Sequence, residues 1–420
     1  MPNRRAILTG LAASLVTHSA LAAGDAQTLQ AEIEAATAAG KPYRLPPSAT
    51  LTGPLRLPEG AHLIGQRGRS RLVLGSQVMI TADHLQRLTL EGVTLEGPGD
   101  AQGALARFMA IKDLRVVDCS FQKAAGNALM LQGCGGRIER SSFGDIRRAA
   151  IYANDSTGLT IEGNTIERCG ENGIQVHRSV KGDDGSIIRA NRISDIRADP
   201  GGSGEYGNGI NTFRGGGVVI DGNVIRRCAY SAVRDNGGGN TVISNNNCAA
   251  IGETALYAEF AFEGVVFTGN IVDSAMTGIS IANFGTDGGR LGIVSGNLLR
   301  NLVRKPHPAT KEIEGGVGIS VEADVSVSGN TIENAAYAGL LLGWGPYLRD
   351  VTASGNTIRQ AETGVMVTVA QGAGGANING NSISGAKDAV LGMEWTKRAT
   401  GDLTRETPPR QLKVAENIVR

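Results

Sequence analysis

Residues 161–177 read IEGNTIERCGENGIQVH, and residues 220–236 read IDGNVIRRCAYSAVRDN. Laid one over the other, Ile161, Gly163, Asn164, Ile166, Arg168 and Cys169 fall on Ile220, Gly222, Asn223, Ile225, Arg227 and Cys228. The endings diverge: Gln175, Val176 and His177 face Arg234, Asp235 and Asn236. A phrase that keeps its first half and rewrites its second describes a scaffold that presents variable side chains.

The kept half recurs. The position of Asn164 is matched by Val93, Cys119 and Ser141 upstream, and by Asn191, Asn223, Asn247, Asn270, Asn297, Asn330, Asn356, Asn381 and Asn417 downstream. Successive spacings are mostly 22–27 residues, with three stretched to 32, 33 and 36. A period in this range marks a solenoid. Within each unit two short apolar alternations, such as LTIEGNTI and NGIQVH, flank Gly, Asn and charged residues. Period-two alternation means strands, and no unit holds a helix-length amphipathic run. The reading is a coil of short strands, each stacked in parallel on its counterpart in the next coil. Asparagine suits the recurring turn because it tolerates left-handed dihedrals and can bond to its stacked neighbours.

Composition agrees. Glycine, at 60 of 420 residues, is about twice its usual share of ~7%, and aromatics are scarce at 4%. The formal charge of +1 gives no support to nucleic acid as a partner, since that mode needs a strongly basic surface. The five cysteines, Cys119, Cys134, Cys169, Cys228 and Cys248, form no CxxC or zinc spacing. Coils should lie ~4.8 Å apart. Cys169 and Cys228, two coils apart, would then be separated by ~9–10 Å, beyond disulfide reach. They are expected as free, buried thiols.

The first 23 residues carry Arg4-Arg5, a mild apolar run from Ala6 to Val16 and the small-residue stop Ala20-Leu21-Ala22. This is a leader layout, too short and too weakly apolar to span a bilayer. The Arg pair resembles the twin-arginine motif, which implies the twin-arginine export machinery as a partner and a periplasmic or extracellular destination. An ordinary leader that happens to carry two arginines is the alternative. No other stretch predicts stable membrane insertion. Residues 24–60 form a cap: a helix over 25–40 with Asp25 as N-cap, the stripe Leu29-Ile33-Ala36 and Gly40 as its end, then short strands. Residues 61–420 are the repeat domain.

Helix, then LPPSATLTGPLRLPEGAHLIG, then Gly-Asn coils resembles the right-handed parallel β-helix of the pectin-lyase-like superfamily. With the Arg pair in front it is similar to the twin-arginine-translocated repeat proteins of that group. The resemblance implies an all-β chain: one right-handed parallel β-helix of roughly a dozen coils behind a short capping helix. It carries no activity, because the superfamily spans lyases, hydrolases, epimerases, tailspikes and adhesins.

The rewritten halves are strands such as NALMLQ, AAIYAN, NGIQVH, NGINTF, SAVRDN and TALYAE. Their third and fifth positions should face inward, and their fourth and sixth outward. The outward pairs run Met130/Gln132, Tyr152/Asn154, Gln175/His177, Asn211/Phe213, Arg234/Asn236, Tyr257/Glu259, Ser280/Ala282 and Ser320/Glu322. Polar, aromatic and ionisable groups concentrate from Tyr152 to Glu259, a strip ~20 Å long. Arg178 and Arg214 close their strands at one register, and the insert RADPGGSGEYGNG before Asn211 predicts a wall. Such side chains grip a hydroxylated ligand, so a polysaccharide is the expected partner. A merely wet face is the bland alternative. Being outward, these groups are expected to carry little of the stability.

Chemistry is less marked. Among carboxylates on the strip only Glu259 and Asp235 are candidates for a glycosidase pair. No calcium nonapeptide or carboxylate cluster is present, so neither metal nor cofactor is expected. Metal-free β-elimination or epimerisation of a uronate remains. Arg234 or Arg214 with Asn211 would neutralise its carboxylate, and His177 or Tyr257 would move the proton. Tyr152, Asn154, Gln175, Arg178, Asn236 and Glu259 would bind the chain. Asp235 falls at an inward position and needs a partner, Arg234 or a neighbour, unless a bulge turns it out. A non-enzymatic envelope or surface-interaction protein is the competing class.

Overall fold

The computed structural model describes residues 26–283 and 288–420. The leader and Asp25 lie outside the described residues. Helix α1 (Ala26–Ala38) buries Ala26, Leu29 and Ile33 against the first coil. It ends where Gly40 turns left-handed, at φ 65°, and the Lys41 amide bonds back to the Ala36 carbonyl, 2.9 Å. The short strands that follow are already coil: Tyr43–Arg44, Ser48–Leu51 and Leu55–Arg56 each pair in parallel with a strand one turn on.

From there the chain winds through about 14 turns of a single all-β parallel solenoid. Three sheets run its length. The first holds the strands that end each phrase, among them Asn127–Gln132, Ile151–Asn154, Asn172–Asp183, Asn208–Gly216, Val233–Asn236 and Thr254–Glu259. The second holds strands such as Leu159–Glu162, Ile187–Arg189 and Val219–Asp221; the third, strands such as Thr165–Cys169, Arg192–Ile196 and Val224–Cys228. The interior is one apolar column of Leu, Ile, Val and Phe, where Phe121 and Phe143 stack at 4.8 Å, the coil spacing itself.

The asparagines form a continuous ladder. Asn164 accepts from the Ser141 amide at 2.9 Å, while its own amide and Nδ2 both donate to Asn191 Oδ1 at 3.0 Å. Nδ2 also donates to the Ile138 carbonyl at 2.9 Å. The pattern repeats to Asn417, with every rung from Asn164 to Asn381 buried. Two details differ from the reading above. At SNNNC the rung is Asn246, not Asn247: among three consecutive asparagines, only the middle one follows the left-handed residue, Asn245 at φ 55°. And the ladder asparagines are not themselves left-handed. The residue before each one is, usually glycine (Gly163 φ 65°, Gly222 φ 64°, Gly269 φ 66°), with Ala190 and Glu416 filling the place at a steric cost. Glycine bends the chain there. Asparagine bonds it.

All five cysteines are free and buried. Cys169 aligns with Ile196, and Ile196 with Cys228, so the two thiols are two turns apart, as the repeat predicts.

Candidate functional site

The outward columns of the first sheet stack in the register expected. Met130, Tyr152, Gln175, Asn211, Arg234, Tyr257, Ser280 and Ser320 form one; Gln132, Asn154, His177, Phe213, Asn236, Glu259 and Ala282 form the other. Over the middle turns Gln175, Asn211, Arg234 and Glu259 are buried, while Tyr152, His177, Phe213 and Asn236 are half-buried. The insert at 197–207 folds across them and is pinned at several points. Asn211 Nδ2 donates to the Glu205 carbonyl at 3.2 Å, Asn172 Nδ2 to the same carbonyl at 3.0 Å, and the Tyr230 hydroxyl to Gly202 O at 2.7 Å. At Gly204, φ 132°, the backbone lies directly on the Arg234 guanidinium, where any Cβ would collide. Glycine is obligatory there.

Between insert and sheet runs a groove of about 630 Å³. Of the residues expected on the strip, Tyr152, Gln175, His177, Asn211, Arg234, Asn236 and Glu259 line it. Tyr257, Asn154, Arg178 and Arg214 do not. Asn154 is turned to Gln132 Oε1 and Asp155 Oδ2, at 3.1 and 2.9 Å. Arg214 lies over the Phe213 ring at 4.6 Å and donates to Ser179 O, while Arg178 reaches Ser156 O at 3.5 Å. The wall also holds Phe213 of the second outward column, and Arg148, Glu171, Glu205, Tyr206 and Phe260, none of which was singled out. Glu205 and Tyr206 belong to the insert already read as a wall. Arg148 and Glu171 sit in turns just before their strands, outside the alternation that identified the columns.

Arg234 is the centre of a buried ion-pair network. Its Nε and Nη2 donate to the two Glu259 oxygens at 2.7 and 2.9 Å, and Nη1 donates to Glu253 Oε2 at 3.2 Å. Its guanidinium also covers the Tyr257 ring at 4.8 Å. Side-chain exposures are 10% for Arg234 and 5% for Glu259. The expectation that outward groups carry little stability therefore fails here, because the insert buries them. Asn236 Nδ2 donates to Glu259 Oε1 at 3.1 Å, and Arg148 Nε to Glu171 Oε1 at 2.9 Å. Burial drives the Tyr257 phenol well above its ordinary range, so the ring stays protonated.

His177 stands between Tyr152 and Phe213, edge-on to both at 5.6 and 5.7 Å. Desolvation pushes its pKa down to about 4, which leaves the ring neutral at pH 7. Its Nε2 is buried with no hydrogen-bond partner among the described residues. Asp235 points inward with no bulge, in register with Thr212 and Ala258. Its partner is not Arg234. The Thr212 hydroxyl donates to Oδ1 at 2.6 Å, and burial raises the carboxyl to about 6.

A larger concavity, about 760 Å³, lies on the second sheet, floored by Val242, Val266 and Ile293. Its lining holds Asn240, Asp324, Ser326, Asp350 and Thr352 around that apolar floor but no aromatic ring and no cationic side chain, so the groove is the better candidate despite its smaller volume. Among the described residues no helix is long and apolar enough to cross a membrane.

The family described as right handed beta helix region matches residues 110–181 and 127–297. No curated protein matches the sequence. Among solved structures, the N-terminal fragment of bacteriophage Phi29 gene product 12 superposes with a TM-score of 0.59 at 14% identity, over 88% of this chain and 70% of that one. The catalytic unit of a GH87 α-1,3-glucanase from Streptomyces thermodiastaticus superposes with a TM-score of 0.52 at 15% identity, over 94% of this chain. This chain spans 64% of that unit's length. At such identities the likeness is one of fold alone. Ladder, coil and the family match over part of the chain together identify the fold as a right-handed parallel β-helix.

Proposed function

We propose that the protein binds an extracellular or cell-wall polysaccharide in the groove between the first sheet and the 197–207 insert. The observation that carries this reading is the lining. Aromatic rings (Tyr152 and Phe213 on the two outward columns, Tyr206 on the insert) stand among hydrogen-bonding tips (Gln175, Asn211, Asn236) across about six turns of the first sheet, in a trough closed on one side. Such a surface matches a chain of rings with apolar faces and hydroxyl rims. The wall carries three carboxylates, Glu171, Glu205 and Glu259, against two guanidiniums, Arg148 and Arg234. Both guanidiniums are already paired. That balance favours an uncharged glycan over a uronate. A glycan array with the mature protein tests it: retention of neutral glycans supports the reading, and no retention of any glycan overturns it.

Metal-free lyase or epimerase chemistry is the second reading, favoured by one observation: a neutral, unpartnered imidazole, His177, in the groove wall. A neutral ring can accept a proton. A uronate carboxylate would, however, have to draw Arg234 away from Glu259. Absorbance of an unsaturated uronate on incubation with alginate or polygalacturonate decides it, with His177→Ala as the control that must abolish the signal. Delivery to such a ligand is proposed to use the twin-arginine-type leader. Replacing Arg4 and Arg5 with Lys should then hold the precursor in the cytoplasm.

A further inference from the structure

The chain has two tryptophans, and they meet. Trp344 and Trp395 pack edge to face, ring centroids 5.9 Å apart, on the surface of the C-terminal turns. Tyr347 joins them through the tight turn Trp344-Gly345-Pro346-Tyr347, closed by reciprocal backbone bonds of 3.2 and 3.0 Å. Trp395 is 48% exposed and Tyr347 37%. In a chain with so few aromatics, two large rings left half in water stand out.

Trp395 also sits where its shape is a disadvantage. It is the first residue of the two-residue turn between the antiparallel strands Asp388–Glu394 and Lys397–Asp402, at φ 55°. Asn or Gly makes such a turn without strain, and a bulky side chain there is a genuine outlier. Gly345, whose Cβ would strike the Trp395 ring, lets the turn lie flat beneath that ring.

The position is informative. Glu259 pairs with Ala282, and the preceding position runs in register from Ile281 through Val321 and Leu342 to Val367, so Ala282, Glu322, Gly343 and Thr368 follow it one residue on, and Thr368 pairs with Met393. The aromatic pair therefore lies on the groove's own sheet edge, starting three turns beyond Glu259, or ~14 Å along the axis. A polymer running along the groove in that direction reaches it within a few sugar units.

We propose that Trp344, Trp395 and Tyr347 form a second glycan-docking platform, which stacks on pyranose faces of the same polysaccharide outside the groove. Apolar C–H faces of a sugar ring complement the negative face of an indole, and the indole N–H and tyrosine hydroxyl serve the rim. The proposal rests on the groove reading for the identity of the polymer, but has its own readout. Both tryptophans of the chain are in the platform, so intrinsic tryptophan fluorescence reports on this site alone.

The test titrates the wild-type protein with cellohexaose, xylohexaose, dextran, polygalacturonate and alginate, following emission. Quenching or a blue shift with at least one of them is expected. Trp395→Ala, on an exposed turn, should weaken binding of the long polymer about ten-fold and leave a short oligosaccharide bound by the groove unaffected. Gln175→Ala should weaken both. If no probe changes the emission, or if Trp395→Ala lowers only the melting temperature, the pair is a structural staple and the proposal is overturned. If emission responds while Gln175→Ala changes nothing, the platform stands and the groove reading falls instead.

Discussion

At the scale of single residues, the strip divides into groups that hold the site together and groups free to meet a ligand. Arg234 belongs to the first class. Truncating it leaves Glu259, 3% exposed, with a buried charge and no guanidinium. Breaking such a pair costs about 3–5 kcal/mol. Arg234→Ala should lose that much in a urea melt, whereas Ser320→Ala, in the same column beyond the insert, should stay within about 0.5 kcal/mol. A loss below 1 kcal/mol would show that the network is solvated. Asp235 gives a pH signature. Its carboxyl is raised from 3.8 to about 6, so the native state holds the proton more tightly than the unfolded chain. Its contribution is fully present below about pH 4 and lost as pH rises through about 6, to the extent of about 3 kcal/mol. Glu322, raised to about 7 by burial, acts with the same sign. His177, lowered to about 4, opposes both: its contribution is present above about 6.5 and lost as pH falls through about 4. The wild-type curve is therefore flattened, and the difference between wild type and Asp235→Asn isolates one group. The variant should be the more stable at pH 7.5, with the gap closing by pH 4. A gap that does not vary with pH would contradict a raised native pKa.

At the scale of the element, the ladder asparagine is the unit of cohesion. Asn270 accepts two bonds from Asn246 and donates to Asn297 and to the Ile243 carbonyl. Asn270→Ala strands buried donors on Asn246, at about 2–4 kcal/mol. Asn417→Ala, on the half-exposed last rung, should cost clearly less by the same melt. Equal losses would mean that the ladder is not what bonds turn to turn. This is also where the sequence was most readable. The Gly-Asn phrase recurs because left-handed backbone and an amide rung are needed once per turn, so period, register, inward and outward columns and free thiols could all be deduced. What stayed hidden was set by tertiary contact. SNNNC offers three asparagines, and only the backbone shows that Asn246 is the rung. Arg148 and Glu171 lie in turns, where no period-two signal exists. The insert's effect was the largest omission. A Gly-rich loop was legible as a wall, but not that it would bury Arg234 and Glu259 into a pair and turn a carboxylate clamp into a structural cation.

At the scale of the whole molecule, a near-neutral solenoid with a +1 formal charge holds one trough rich in hydrogen-bonding and aromatic groups on a face about six turns long. The frame contributes rigidity and a fixed 4.8 Å pitch, and the rewritten strand ends contribute the recognition. Removing one well-used polar contact from such a trough should cost roughly 1–1.5 kcal/mol of binding, or about ten-fold in Kd. The direct test is the affinity of the best array glycan for wild type, Gln175→Ala, Asn236→Ala and Ser320→Ala, measured by calorimetry. The account predicts losses of about ten-fold in each of the first two variants and none in Ser320→Ala. Wild-type affinity in all three would contradict it, and would leave the strip as a wet face covered by a loop.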